Sequence, residues 1–133
     1  MIVLLDTHAL IWLDQDSSTL GPEARKSADL ALQQNRLVVS AITFWEITML
    51  NAKGRIDMLL PTDVWRRDLL GLGLLEIPID GNIGITAAQL DLHGDPADRI
   101  IVATAVMKDA LLITADQSLL QWQNALYRLD ARK

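Results

Sequence analysis

The sequence Asp95-Pro-Ala-Asp98-Arg99-Ile-Ile-Val-Ala-Thr-Ala, residues 95–105, leads from a polar turn into an apolar segment. Asp95 is a typical N-cap residue and Pro96 suits a first helical turn, so a helix is predicted over residues 97–108. The next apolar segment, Leu111-Leu-Ile-Thr114, has the length of a buried strand and is soon followed by Asp116. A helix that leads directly into a buried strand is typical of α/β domains.

The same alternation extends over the rest of the chain. The first strand candidate, Ile2 to Leu5, is apolar without a polar alternation, as in parallel sheets that are covered on both faces. Strands are predicted over residues 2–5, 36–40, 74–79, 111–114 and 126–129, and helices over residues 7–13, 22–34, 42–51, 64–70, 83–92, 97–108 and 117–120. The second helix is expected to be capped by Gly21 or by the hydroxyl side chains before it. A C-terminal cap is expected from Gly54, and an N-terminal cap of the fourth helix from Thr62 or Asp63. This order predicts one α/β domain, residues 1–133, with a parallel sheet and right-handed crossovers.

Composition narrows the function classes. The chain has 133 residues, half of them hydrophobic and 22% charged, which is typical of one globular domain. The net charge of −5 argues against a generic nucleic-acid binder, unless acids are gathered at a metal site. The absence of cysteine excludes disulfides and thiolate metal sites. The chain has no apolar run of membrane-spanning length and no signal peptide at its start, so no membrane contact and a cytoplasmic location are expected.

Four acids follow the predicted strands. Asp6 comes directly after the first strand, and Asp116 comes two residues after Thr114. Asp98 lies in the first turn of its helix, and Glu46 lies one turn into the helix after the second strand. Because ligands bind beyond the carboxyl ends of parallel strands, these acids are expected at one rim of the sheet. Carboxylate oxygens are the ligands that Mg²⁺ and Mn²⁺ prefer.

Each aspartate also has a simpler interpretation. Asp6 and Asp116 suit N-caps, and Asp98 suits the first turn of a helix, where a carboxylate favours the helix dipole. Asp95 is interpreted as a cap and not as a ligand. Glu46 differs, because it lies in an apolar helix where a carboxylate needs a partner. Four acids at one rim would repel one another without a counterion, so a shared metal site is the favoured interpretation.

Four segments together resemble a known family. Asp6-Thr7-His8, Ser40-Ala-Ile-Thr-Phe-Trp45-Glu46, residues 95–105 and Leu112-Ile-Thr114-Ala-Asp116 are similar, in order, to the signature blocks of PIN domains. The chain looks most like VapC-type ribonuclease toxins of prokaryotic toxin–antitoxin pairs, over Met1 to about Leu129. By matching position, the resemblance implies that the catalytic and metal-binding residues are Asp6, Glu46, Asp98 and Asp116.

The resemblance also implies a fold, an activity and partners. The implied fold is a three-layer α/β/α domain whose central parallel sheet has four to five strands. The implied activity is endoribonuclease hydrolysis of RNA phosphodiester bonds that depends on Mg²⁺ or Mn²⁺. The implied partners are a small cognate antitoxin protein and a second copy of the chain in a homodimer.

Several residues near the acids have two interpretations. Thr7 and Thr114 either orient the acids or a phosphate, or make only local turn bonds. Arg99 either approaches a phosphate or, as favoured, pairs with a neighbouring acid. Trp45 is expected in the core beside Glu46.

Two other functions remain open at this point. The first is a metal-dependent phosphohydrolase acting on small phosphate esters, although the Asp-x-Asp pair that one such class needs after the first strand is absent. The second is a non-catalytic module whose acids hold a structural metal or bind basic residues of a partner.

Overall fold

The computed structural model describes all 133 residues and contains one five-stranded sheet in the order β3-β2-β1-β4-β5. Every neighbouring pair of strands is parallel. The strands are β1 (Val3–Leu5), β2 (Leu37–Ser40), β3 (Leu75–Ile77), β4 (Leu111–Thr114) and β5 (Arg128–Asp130). The predicted three-layer α/β/α fold with a central parallel sheet is confirmed.

Seven helices connect and cover the strands. They are α1 (Thr7–Asp14), α2 (Pro22–Gln33), α3 (Ile42–Ala52), α4 (Thr62–Gly71), α5 (Gly81–Gln89), α6 (Pro96–Met107) and α7 (Gln117–Leu120). None of them has the length and apolar character required to cross a membrane.

The central strands are buried on both faces. Val3 and Leu5 belong to the larger apolar cluster, which includes residues of α1 to α4. Leu4, between them, belongs to the cluster that includes Ile101 and Val102 of α6. Successive side chains of a strand point to opposite faces, so the apolar segment without alternation is explained by helices on both sides.

The strand register places the site. Leu5 of β1 lies opposite Ile113 of β4, so these two neighbouring strands end side by side. Asp6 directly follows β1, and Asp116 lies two positions after Thr114, the last residue of β4. The edge of the sheet where the strands end is called the carboxyl rim below.

The helix that opens the site begins as predicted. Asp95 is the N-cap of α6, and its Oδ1 accepts a hydrogen bond of 2.9 Å from the Asp98 N–H. Pro96 is the first helical residue, where its missing N–H costs nothing. Gly54, at φ +71, follows the end of α3 in the left-handed conformation that glycine adopts without a steric penalty.

Some predicted boundaries and contacts are wrong. Helix α5 begins at Gly81, because Asp80 caps it by accepting from the Ile83 N–H. It ends at Gln89, since Leu90 has an extended backbone. Helix α4 begins at Thr62 after Pro61, and no side chain caps it, in contrast to the expected cap from Thr62 or Asp63. Trp45 is 51% exposed and does not lie in the core.

Candidate metal centre

A cleft of about 370 Å³ opens at the carboxyl rim. It contains all four acids that the sequence predicted to meet, and it is called the acidic cleft. Its lining residues are Asp6, Thr7, His8, Trp12, Glu46, Asp95, Asp98, Ile101, Ala115, Asp116 and Arg132.

The closest carboxylates in this cleft come from two helices. One carboxylate oxygen each of Glu46, Asp95 and Asp98 lies within 4.8 Å of the other two. Asp6 and Asp116 line the same cleft but lie outside this closest group. Asp95 was interpreted only as a cap, yet it both caps α6 and faces Asp98. Its spacing of three residues from Asp98 was the available signal, because residues i and i+3 share one helix face.

Asp6 is fixed by its own helix and by the next strand. Its Oδ1 accepts from the Ala9 N–H at 2.9 Å, as an N-cap of α1, and its Oδ2 accepts from the Thr114 hydroxyl. Burial raises the pKa of Asp6, while the bonds from Thr114 and Ala9 oppose that rise. The cap interpretation of Asp6 is therefore correct, and it is compatible with a place in the acidic cleft.

Asp116 and Glu46 are also held by neighbours. The Oδ1 of Asp116 accepts from the Ser118 N–H at 2.9 Å and from the Ser118 hydroxyl at 2.7 Å, as an N-cap of α7. Glu46, which is half-buried, accepts from the Thr7 hydroxyl. The carboxylate of Glu46 was expected to need a partner because α3 is apolar, and Thr7 is that partner.

Thr114 links two of the acids across the rim. Its hydroxyl donates to Asp6 and accepts from the Asp116 N–H at 3.1 Å, and its side chain is fully buried. The bond to Asp6 joins residues that are 108 positions apart, so it exceeds local turn bonding.

The pKa of Asp98 reflects both its burial and the charges around it. Burial, followed by the nearby charges of Asp95, Asp116, Glu46 and Asp6, raises the pKa of Asp98 to about 7. Each of these four carboxylates disfavours the ionisation of Asp98. A cation among them would reverse this effect, because it favours the ionised form of every carboxylate.

The donor set suits one class of metal. The acidic cleft offers five carboxylates and no cysteine, and its single histidine, His8, is exposed. Oxygen ligands of this kind are typical for Mg²⁺ and Mn²⁺, and they are unlike the nitrogen and sulfur ligands of structural zinc. The residues present therefore fit a hard divalent cation.

Arg99 does not belong to the cleft. Its guanidinium donates to the backbone carbonyls of Ala88, Leu90 and Leu92, and it forms no ion pair with an acid. The expected ion pair is therefore wrong, and Arg99 does not line the cleft in which a phosphate would meet the acids. Arg99 instead fastens the end of α5 and the following loop to α6, because those carbonyls have no partners within a helix.

Sequence reasoning missed two other lining residues. Trp12 lies in the cleft wall, and no motif of the sequence placed it there. Arg132 reaches the cleft from the segment after β5, and no motif of the sequence pointed to it.

Replacement of Thr114 tests how the acids are held. Thr114→Val removes one bond to buried Asp6 and one to the Asp116 N–H, so the free energy of unfolding should fall by about 2 kcal/mol. The pKa of Asp6 should rise further, because the hydroxyl bond opposes its rise. Urea denaturation measures the first effect. Thr114→Ser keeps the hydroxyl and is the matched control; equal stability of the two variants would refute the linking role.

The chain was compared with known proteins. The model of the PIN domain family matches residues 3–123. Ribonuclease VapC22 of Mycobacterium tuberculosis is 32% identical over 119 residues, which are 88% of this chain and 88% of that protein. The chain has the fold of the structure of VapBC2 from Rickettsia felis bound to a promoter DNA fragment, with a TM-score of 0.70, 17% identity and coverage of 97% and 98% of the two chains. DNA-bound VapBC from Salmonella typhimurium gives a TM-score of 0.69, 17% identity and 98% coverage of both chains.

Proposed function

This chain belongs to the PIN domain family, and from that premise we propose that it is a Mg²⁺- or Mn²⁺-dependent endoribonuclease and the toxin of a toxin–antitoxin pair. The family relationship covers most of the chain, and the 32% identical relative is named a ribonuclease. The proposal does not rest on fold alone, since one fold hosts many functions.

One observation of the site carries the proposal. Glu46, Asp95 and Asp98 bring carboxylate oxygens within 4.8 Å of one another, and the pKa of Asp98 rises to about 7. A cleft in which four carboxylates oppose the ionisation of Asp98 is costly to fold unless a cation is bound there. Perturbed acids of this kind, in a cleft, are typical of functional sites.

We assign the metal-binding and catalytic residues as Asp6, Glu46, Asp98 and Asp116, with Asp95 beside them. A divalent cation held by these carboxylates would supply Lewis-acid chemistry, namely polarisation of a phosphate and a lower pKa for a bound water. Thr114 and Thr7 hold the carboxylates of Asp6 and Glu46 in fixed orientations. Such supporting bonds set the direction in which a ligand oxygen points.

The partners follow from the complexes that share the fold. Those structures are described as VapBC and FitAB assemblies and as a toxin–antitoxin complex. We propose that this chain likewise binds a small antitoxin protein and forms a homodimer. Exposed apolar side chains such as Trp45, Met49 and Leu59 provide surface for such contacts. The net charge of −5 favours a basic partner.

A substrate comparison tests the proposal. The purified chain is incubated with single-stranded RNA, structured RNA and a small phosphate ester, each with Mg²⁺, with Mn²⁺ and with EDTA. Internal cleavage of RNA that requires the metal is expected, with no comparable hydrolysis of the ester. Preference for the ester would favour a general phosphohydrolase. Tight binding of a partner without any cleavage after its removal would favour a non-catalytic module.

A further inference from the structure

One wall of the acidic cleft carries a positive charge. Arg132 is the one arginine or lysine among the residues that line it. Its guanidinium forms no ion pair, because the two salt bridges of the structure join Arg25 to Asp16 and Arg66 to Glu76. The charge of Arg132 therefore lies beside the acids without being neutralised by contact with any of them.

Arg132 is exposed, but its guanidinium makes two contacts with the cleft wall, which are together called its seat. Its Nη1 donates to the Ala115 carbonyl at 2.8 Å, and its Cζ lies 5.6 Å from the centre of the Trp12 ring. Trp12 is half-buried and packs against the larger apolar cluster, which restrains the position of its ring. Stacking on an aromatic face leaves the edge of a guanidinium available for hydrogen bonds.

The backbone on either side of Arg132 is also fixed. The Gly21 N–H donates to the Ala131 carbonyl, and the Glu23 N–H donates to the Lys133 carbonyl, both at 2.8 Å. A Cβ at Gly21 would lie 2.1 Å from the carbonyl carbon of Lys133. This close approach requires glycine at position 21 and ties the segment after β5 to the start of α2.

These contacts distinguish Arg132 from an ordinary surface arginine. An RNA strand that reaches the acids brings its own negative charges into a cleft with five carboxylates. A seated guanidinium with free N–H groups can bind phosphate oxygens in a bidentate manner. An arginine that served only to offset the acids would be expected to pair with one of them, and Arg132 does not.

We propose that Arg132, seated on Trp12, binds a backbone phosphate of the RNA strand next to the bond that is cleaved. The proposal rests on the proposed ribonuclease function and adds the residue that positions the substrate. Gly21 acts indirectly, since it allows the backbone approach that holds Arg132 in place.

RNA binding tests the proposal without interference from cleavage. A fluorescently labelled single-stranded RNA is titrated with the Asp98→Asn variant in Mg²⁺, over a series of salt concentrations. Adding Arg132→Gln should raise Kd about tenfold, as for loss of a hydrogen bond to a charged group. The slope of the logarithm of the association constant against the logarithm of the salt concentration should become less negative by about 0.7. This is the value for one phosphate contact on a single strand.

A matched control separates contact from net charge. Arg36 also donates from its Nη1 to a backbone carbonyl, that of Met1. However, it precedes β2 and therefore lies at the end of the sheet where the strands begin, opposite the carboxyl rim. Arg36→Gln removes the same charge and should leave the salt slope unchanged. Equal slopes for Arg36→Gln and Arg132→Gln would overturn the proposal.

A second pair of variants tests the seat of Arg132. Gly21→Ala should also raise the Kd for RNA. Gly84→Ala, whose added methyl group meets no atom within 4 Å, should leave this Kd unchanged. In the otherwise unchanged enzyme, Arg132→Gln should raise KM and leave kcat and the affinity for Mg²⁺ nearly unchanged. A fall in Mg²⁺ affinity with KM unchanged would overturn the proposal in favour of a structural role.

Failure of the two proposals can be told apart. If the unchanged chain cleaves RNA with Mg²⁺, but the Asp98→Asn variant binds RNA equally well with and without Arg132→Gln, only the role of Arg132 is refuted. If the unchanged chain cleaves no RNA under any metal condition, the ribonuclease function fails, and the role of Arg132 fails with it.

Discussion

Asp98→Asn should lower the rate of RNA cleavage by about a thousandfold. Asp98 belongs to the closest carboxylate group and is flanked by four other acids of the cleft. A bound cation stabilises the transition state by several kcal/mol, and about 1.4 kcal/mol corresponds to a tenfold change in rate. The measurement is the initial rate of cleavage of a labelled RNA at saturating Mg²⁺.

The matched control for this variant is Asp91→Asn. Asp91 is exposed in the loop before α6 and does not line the acidic cleft. Its replacement removes the same charge and should leave the cleavage rate nearly unchanged. Full activity of Asp98→Asn would show that Asp98 is not a ligand and would exclude the assigned site.

The same substitution should raise the stability of the metal-free protein at high pH. The pKa of Asp98 is about 7 in the folded chain and about 3.9 in an unfolded one. Between these values the folded state binds more protons, so the contribution of Asp98 to stability is present below pH 4 and is lost as the pH rises through 7. Asp98→Asn removes this loss.

The expected size is modest because Asp98 is partly exposed to water, which screens the repulsion. In EDTA at pH 8, Asp98→Asn should raise Tm by about 4 °C, which corresponds to about 1 kcal/mol in the free energy of unfolding. Near pH 4.5 the variant and the unchanged chain should have the same Tm. Mg²⁺ should reverse the order at pH 8, because it stabilises only the chain that binds it. A variant that is less stable than the unchanged chain at pH 8 in EDTA would contradict the proposed repulsion.

Much of the fold could be predicted because local signals and burial agree. Helix α6 and strand β4 were placed within one residue, since Asp95, Pro96 and a short apolar strand are unambiguous signals. The parallel sheet followed from strands without polar alternation. Helix α5 was misplaced because Asp80, which lies between the predicted strand and the predicted helix, was not identified as its N-cap. Trp45 was misplaced because the apolar sequence of α3 gives no indication of which face remains exposed.

The acids of the site were predictable for a different reason. The carboxyl ends of parallel strands meet at one rim, so Asp6 and Asp116 had to lie near each other once the strands were known. The sequence could not decide between the two interpretations of Thr114, and it gave no indication of the contacts of Arg132. Thr114 bonds to a residue 108 positions away, and Arg132 depends on the backbone approach at Gly21, which is a property of the folded chain.

The central claim is that the acidic cleft binds a divalent cation through Asp98 and its neighbours. Calorimetric titration of Mg²⁺ into the metal-free chain at pH 7 tests it most directly. Because the pKa of Asp98 is about 7, binding should release protons, and the observed heat should therefore change with the ionisation enthalpy of the buffer. We expect saturable binding to the unchanged chain and to Asp91→Asn, with strongly weakened binding to Asp98→Asn. No binding to the unchanged chain, or equal binding to all three, would contradict the claim.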